Sequence, residues 1–163
     1  MSALAMGLLK KGCSVSGSDL VKNDETNKLE KLGALIFTSQ VRQNIEFVTS
    51  KFTNRLINFV VSSAIKPENE EFSYCKEKNL SIKHRSEILA MLMRTYTALA
   101  VAGSHGKTST STFLSTILEL CTHNSSSIIG GIIPIYNSNC HLENTKYLVA
   151  EVDESDGTIN KYK

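Results

Sequence analysis

No stretch of this chain is apolar for long enough to cross a membrane. Its longest hydrophobic runs fall far short of the roughly 18–20 residues a span requires, and no leader-like segment is visible. Blocks of like charge are missing too. Eighteen Lys and Arg against sixteen Asp and Glu leave a formal net charge of +2, which gives no electrostatic case for nucleic acid or a lipid surface as the main partner. The four cysteines (Cys13, Cys75, Cys121 and Cys140) form no C-x-x-C pair and read as reduced structural thiols of a cytosolic protein. Repeats and low-complexity tracts are absent as well. What is present is a hydrophobic fraction of 41% with 21% charged residues, enough for a buried core in one ordinary domain, or in a small domain and part of another.

The most informative stretch runs from Thr97 to Thr110. An apolar, β-prone run (Thr97 to Ala102) enters a glycine-bracketed loop, and Lys107-Thr108 opens a long amphipathic segment. This is the order of a strand, a phosphate-gripping loop and a helix. Glycines let backbone N–H groups turn toward an anion, and the helix N-terminus adds unpaired donors and partial positive charge. Lys107 can reach the outer phosphates of a nucleoside triphosphate, and the Thr108 hydroxyl can bind Mg²⁺. The common pattern G-x-x-x-x-G-K-[ST] is not met, because Val101 stands where its first glycine belongs; the chain has G-x-x-G-K-T from Gly103.

Around this loop the chain alternates helix and strand signals. Ser2 to Gly12 reads as a helix with a glycine stop but no preceding strand, which predicts a chain whose true beginning has been removed. Cys13 to Gly17 is a short strand with Asp19 at its end, equally a ribose contact or a turn residue. Asn23 to Leu32 reads as a polar helix stopped by Gly33, Ala34 to Phe37 as a strand, and Arg55 to Val61 as a strand carried by Leu56, Ile57, Phe59, Val60 and Val61. Within residues 38–55 only Val41, Ile45, Phe47 and Val48 stand out as packing positions. Pro67 is placed to start a helix ending near Lys78. Ser81 to Lys83 is a brief strand, followed by a helix from Ser86 with Ile88, Leu89, Leu92 and Met93 as its apolar stripe. His84 reads as a surface histidine; Arg85 reads either as a grip for a phosphate or carboxylate or as a solvated arginine. Beyond the loop, Phe113, Leu114, Ile117, Leu118 and Cys121 make a helical stripe. Asn124 to Ser127 reads as a polar loop, Gly130-Gly131 as a strand break, and Ile132 to Leu142 as loop-like. A clear strand, Tyr147 to Ala150, delivers four carboxylates: Glu151, Asp153, Glu154 and Asp156. Their mutual repulsion would be relieved by a hard cation such as Mg²⁺. Phosphate loop and acidic strand end are the two halves of a nucleotide–Mg²⁺ site.

Taken in this order, the motifs resemble the Mur ligase family. Gly103-Ser104-His105-Gly106-Lys107-Thr108-Ser109-Thr110 is similar to its G-T-H-G-K-T-T-T loop, with serine at 104 and 109. Glu151-Val152-Asp153-Glu154-Ser155-Asp156-Gly157 is similar to its E-A-D-E-S-D-G/A segment, and Ser16–Asp19, Val60–Ile65 and Arg85–Leu89 resemble three further stretches. The resemblance covers Met1 to about Lys163. It implies an α/β protein in which residues 1–95 are a Rossmann-like UDP-substrate domain lacking its first strand-loop. Residues 96–163 would then begin a P-loop-type ATPase domain, with a third domain beyond.

The implied activity is ATP-driven amide formation in peptidoglycan precursor synthesis, in the cytoplasm. The lactyl carboxylate of UDP-N-acetylmuramate would attack the γ-phosphate, and the amine of L-alanine would displace phosphate from the resulting acyl phosphate. A relative that attaches a murein tripeptide instead tends to carry tyrosine where this chain has Ser155, which favours the alanine-adding branch. A non-catalytic nucleotide-binding fragment is the alternative of a different class. By resemblance, ATP is held by Gly103, Ser104, His105, Gly106, Lys107, Thr108 and Ser109, using backbone N–H groups from 105 to 110. Lys107 neutralises the transferring phosphoryl, and Thr108 with Glu151 holds Mg²⁺. Asp19, Ser62, Ser63 and Arg85 are candidates for the UDP-substrate, and His105 is not assigned as a general base.

Overall fold

A computed structural model describes residues 1–121 and 123–153, in which short helices and strands alternate. Helix α1 (Ser2–Lys10) stops where Gly12 takes a φ of 81°, its N–H and that of Cys13 closing onto the carbonyls of Leu9 and Leu8. Strands β1 (Ser16–Ser18) and β2 (Leu35–Phe37) pair in parallel across α2 (Asp24–Lys31). Asn23 caps α2 by accepting the Thr26 N–H at 3.0 Å, while the Thr26 hydroxyl accepts from the Asn23 N–H at 2.9 Å. After α3 (Arg42–Lys51), strand β3 (Phe59–Val61) pairs in parallel with β4 (Ile82–His84) across α4 (Glu70–Glu77). Helix α5 (Arg85–Met93) then leads into the second half of the chain.

That half is built on a four-stranded sheet. β5 (Thr97–Val101) is followed by α6 (Lys107–Leu120), β6 (Ser125–Ile133), a 3₁₀ turn at Pro134–Tyr136, β7 (Ser138–His141) and β8 (Tyr147–Glu151). The spatial order is β5-β8-β6-β7; the first three run parallel and β7 pairs antiparallel with β6. Val101 lies in register with Glu151, so β5 and β8 finish level and deliver the glycine loop and the acidic segment to one sheet end. One apolar core runs through both halves. Ala3, Leu4 and Met6 of α1 and Ile88, Leu89 and Leu92 of α5 meet Ile128, Cys140, Leu148 and Ala150 of the larger sheet.

Several expectations change. The strand expected over Arg55 to Val61 starts only at Phe59, and Leu56 is 89% exposed. Phe47 is also exposed and meets Phe37 edge-on, while Ile45 and Val48 are buried as expected. Helix α4 starts after Asn69, whose side chain accepts the Phe72 N–H at 3.0 Å; Pro67 lies before the cap, with its carbonyl bonded to the Ser73 hydroxyl. Ser125, Ser126 and Ser127, expected in a loop, are fully buried at the start of β6. Their backbone pairs with Tyr147, Leu148 and Val149 of β8, and two of the three small hydroxyls find partners well separated in sequence: Ser127 donates to Ser115 at 2.8 Å, and Ser126 shares a 2.9 Å hydrogen bond with Thr145. The strand continues through Gly130-Gly131, and residues 132–142 hold the rest of β6, the 3₁₀ turn and β7.

Candidate functional site

The loop between β5 and α6 depends on two glycines in the left-handed half of backbone space. Gly103 has φ 147° and Gly106, the N-cap of α6, has φ 74°, a conformation side chains resist. No side chain caps α6 and no acidic residue lies in its first turn, so the first N–H groups of the helix face the loop with their dipole uncompensated. The Thr110 N–H already bonds the Gly106 carbonyl at 2.9 Å, which ends the run of available donors at Ser109 rather than at 110. The Lys107 ammonium crosses the loop and donates to the Gly103 carbonyl at 2.6 Å, placing a positive charge amid those donors. Ser104, His105 and Ser109 are exposed around it.

Across from Lys107, one helical position on, the Thr108 hydroxyl lies 3.1 Å from each oxygen of Glu151. The Glu151 carboxylate also accepts the Gly130 N–H at 2.8 Å. The structure therefore brings together Thr108 and Glu151, the two residues paired from sequence. Val152 follows, 2% exposed with its N–H on the Val101 carbonyl. It turns Asp153 toward α5, where the Arg85 guanidinium donates to Asp153 Oδ2 at 2.8 Å. Arg85 thus grips a carboxylate of the chain's own acidic segment. Glu154, Ser155, Asp156 and Gly157 lie outside the described residues.

The remaining candidates are spread along other strand ends. The Ser63 hydroxyl lies 3.1 Å from His84 Nε2, and His84 Nδ1 lies 2.8 Å from the Ser86 hydroxyl, so the imidazole links the β3 and β4 ends rather than facing solvent alone. Glu87 completes this turn by accepting the His84 N–H at 2.8 Å. The Ser62 carbonyl accepts the Ile65 N–H. Asp19 follows β1, and its carboxylate accepts the Val21 N–H at 3.0 Å, an Asx turn in keeping with the structural of its two readings. Among the described residues no group of three His, Cys, Asp or Glu gathers to bind a metal without further ligands, and no helix is long and apolar enough to cross a membrane.

Gly130 and Gly131 are the residues sequence reasoning missed. A Cβ on Gly131 would meet Thr108 Cγ2 at 2.7 Å, and one on Gly130 would meet Glu151 Oε2 at 3.0 Å. The available signal was the position of the pair inside an apolar run, Ile128-Ile129 before and Ile132-Ile133 after, where glycine marks close approach of another group.

Residues 1–97 match the family described as "Mur ligase family, catalytic domain". A curated relative from Prochlorococcus marinus subsp. pastoris, called UDP-N-acetylmuramate–L-alanine ligase, is 71% identical over 162 residues, which is 99% of this chain and 34% of the relative. The chain thus spans about a third of the length of the curated relatives it matches. Two solved structures share the fold. The ligase of UDP-N-acetylmuramate and L-alanyl-γ-D-glutamyl-meso-diaminopimelate from Neisseria meningitides superposes with a TM-score of 0.85 at 23% identity, covering 96% of this chain and 50% of that one. The UDP-N-acetylmuramate-alanine ligase from Thermotoga maritima gives 0.79 at 24% identity, covering 95% and 35%.

Proposed function

The chain belongs to the Mur ligase family, and from that premise we propose that it carries the nucleotide-binding part of a cytoplasmic, ATP-dependent ligase joining L-alanine to UDP-N-acetylmuramate. Residues 1–95 serve the UDP-substrate and residues 96–163 begin the ATP domain. The observation that carries the reading is the meeting of Thr108, at the mouth of a glycine-bracketed loop, with Glu151 at the end of the neighbouring parallel strand. The 71% identity to a protein of that name supports the alanine-adding branch over the tripeptide ligase, whose likeness here is one of fold.

The residues fit magnesium. A hydroxyl and a carboxylate are hard oxygen donors of the kind magnesium takes, and Thr108 and Glu151, already within 3.1 Å of each other, would be the residues to hold it. When bound, the cation would supply charge neutralisation on the phosphates. The chain's own residues do the rest. Backbone N–H groups at the start of α6 orient the phosphate oxygens. Lys107 exchanges the Gly103 carbonyl for a phosphate oxygen and holds positive charge where the transferring phosphoryl gathers negative charge. Asp153 and Arg85 tie this segment to the strand ends that carry Ser62, Ser63 and His84, where the carboxylate that attacks ATP would be presented.

Calorimetric titration of the chain with Mg²⁺-ATP and with UDP-N-acetylmuramate tests the proposal. Binding of both is expected, with Lys107→Ala weakening ATP at least tenfold, about 1.4 kcal/mol, and leaving the UDP-sugar unaffected. A folded chain that binds neither, or a Lys107→Ala variant that binds ATP normally, overturns it.

A further inference from the structure

We propose that Gly130 and Gly131 form the positioning wall of the magnesium site: Gly130 fixes the Glu151 carboxylate through its N–H, and Gly131 leaves the space that lets the Thr108 hydroxyl face it. The inference rests on reading Thr108 and Glu151 as the metal's protein ligands. Neither glycine has a positive φ, so backbone conformation does not demand glycine here and space does. The clash at Gly131 is with a branched side chain. Thr108 carries its methyl and its hydroxyl on the same Cβ, so displacing Cγ2 from 2.7 Å rotates the hydroxyl off both Glu151 oxygens. Gly130 acts from the other side, with a main-chain donor 2.8 Å from Glu151 Oε2 that cannot swing away as a side chain could.

The strand arrangement exposes this donor. Pairing of β6 with β8 runs from Ser125 to Ile128, and the register with β7 shifts between Ile128 and Ile133. At Gly130 the N–H is therefore directed to a side chain rather than into a ladder, as a bulge next to a functional group does.

Three variants of the whole chain test the wall: Gly131→Ala, Thr108→Ser, and the two combined. Serine keeps the hydroxyl and removes the methyl that the new Cβ would meet, and phosphate loops accept either residue at this place. Calorimetry at several Mg²⁺ concentrations reads the site. Gly131→Ala is expected to weaken the magnesium-dependent part of ATP binding about tenfold or more, the range for residues that orient metal ligands. Whatever Thr108→Ser costs by itself, adding Gly131→Ala to it is expected to cost little more, so the double variant binds more tightly than Gly131→Ala alone. Amide NMR without nucleotide gives a second readout: the Gly130 amide proton lies downfield in the wild type, moves in Gly131→Ala and returns in the double variant. Removing the methyl relieves the clash and restores stability as well, so the magnesium dependence and the Gly130 amide, which report on Glu151, are the deciding readouts. The inference is overturned by a Gly130 amide that does not respond to Gly131→Ala, or by a double variant no better than Gly131→Ala. Failure of the wild type to bind ATP would reject the nucleotide reading instead, and the NMR comparison would still decide the wall.

Discussion

Helices α5 and α6 each follow a parallel strand and begin at a candidate site, yet they bury opposite kinds of surface. In α5 the apolar positions Ile88, Leu89, Leu92 and Met93 are all buried. In α6 the fully buried positions are Ser111 and Ser115, while Phe113, Ile117 and Leu120 are 68%, 55% and 76% exposed. The difference lies in how near each helix must come to its sheet. Helix α6 has to bring Thr108 against Glu151 and past Gly131, so its axis is held close to β6. Only small side chains fit between them, and the hydroxyls of Ser115 and Ser127 meet at 2.8 Å. Helix α5 has no such demand and packs by volume. A helix face is thus chosen by the separation its site imposes as well as by hydrophobicity.

The sharpest way to break this comparison is to truncate the apolar stripe on each helix. Leu89→Ala, at a position 3% exposed in α5, is expected to cost about 2–5 kcal/mol in urea unfolding, as core truncations do. Phe113→Ala in α6 is expected to stay within about 0.5 kcal/mol of wild type, because the ring is already in water. Equal losses would mean that the α6 stripe is buried in solution. Next in size is the reverse test, overfilling the serine seam. Ser115→Leu is expected to destabilise by about 1–3 kcal/mol although it adds apolar surface, by forcing α6 off β6 and leaving the Ser127 hydroxyl without its acceptor. A neutral or stabilising result would remove close approach as the explanation.

The same contrast explains what could be read from the sequence. β8 and α5 were legible because their apolar patterns are those of buried elements, and β5 because its β-prone run leads into the glycine loop, although three of its five residues are exposed. Thr108 and Glu151 were legible because a glycine loop before a helix and a carboxylate at a strand end each carry a chemical reason. The start of β6 was not, since Ser125-Ser126-Ser127 has the composition of a loop and its burial depends on hydroxyl partners far along the chain. Leu56 misled in the other direction: an apolar residue beside a strand is not obliged to join it. Arg85 could be singled out as a grip, but its partner, Asp153, lies 68 residues away, and only the fold brings them to 2.8 Å. Gly130-Gly131 looked like an interruption because a period-two reading has no place for a residue whose role is to leave room.

The smallest expected effect concerns how the far end of α6 is held without its apolar stripe. Tyr136 donates to Glu119 Oε2 at 2.9 Å, and its ring stacks on His141 of β7 with centroids 3.8 Å apart and planes within 6°. Burial, aided by the positive charge of Lys10, holds the His141 pKa below its usual value, against the opposing pull of Glu143 and Glu119. The unfolded chain, with an ordinary histidine near 6.5, therefore takes up a proton before the folded one does. Stability contributed by neutral His141 is present above about pH 6.5 and is lost as pH falls through that value toward the lower folded pKa. Urea unfolding of wild type and His141→Asn at pH 7.5 and 5.5 isolates this contribution, because the carboxylates common to both titrate alike and cancel in the difference. The wild type should lose more stability than the variant on acidification. Parallel losses would mean that the stack does not depend on a neutral imidazole. The brace on α6 would then be the Tyr136–Glu119 hydrogen bond, and Tyr136→Phe would show it at either pH.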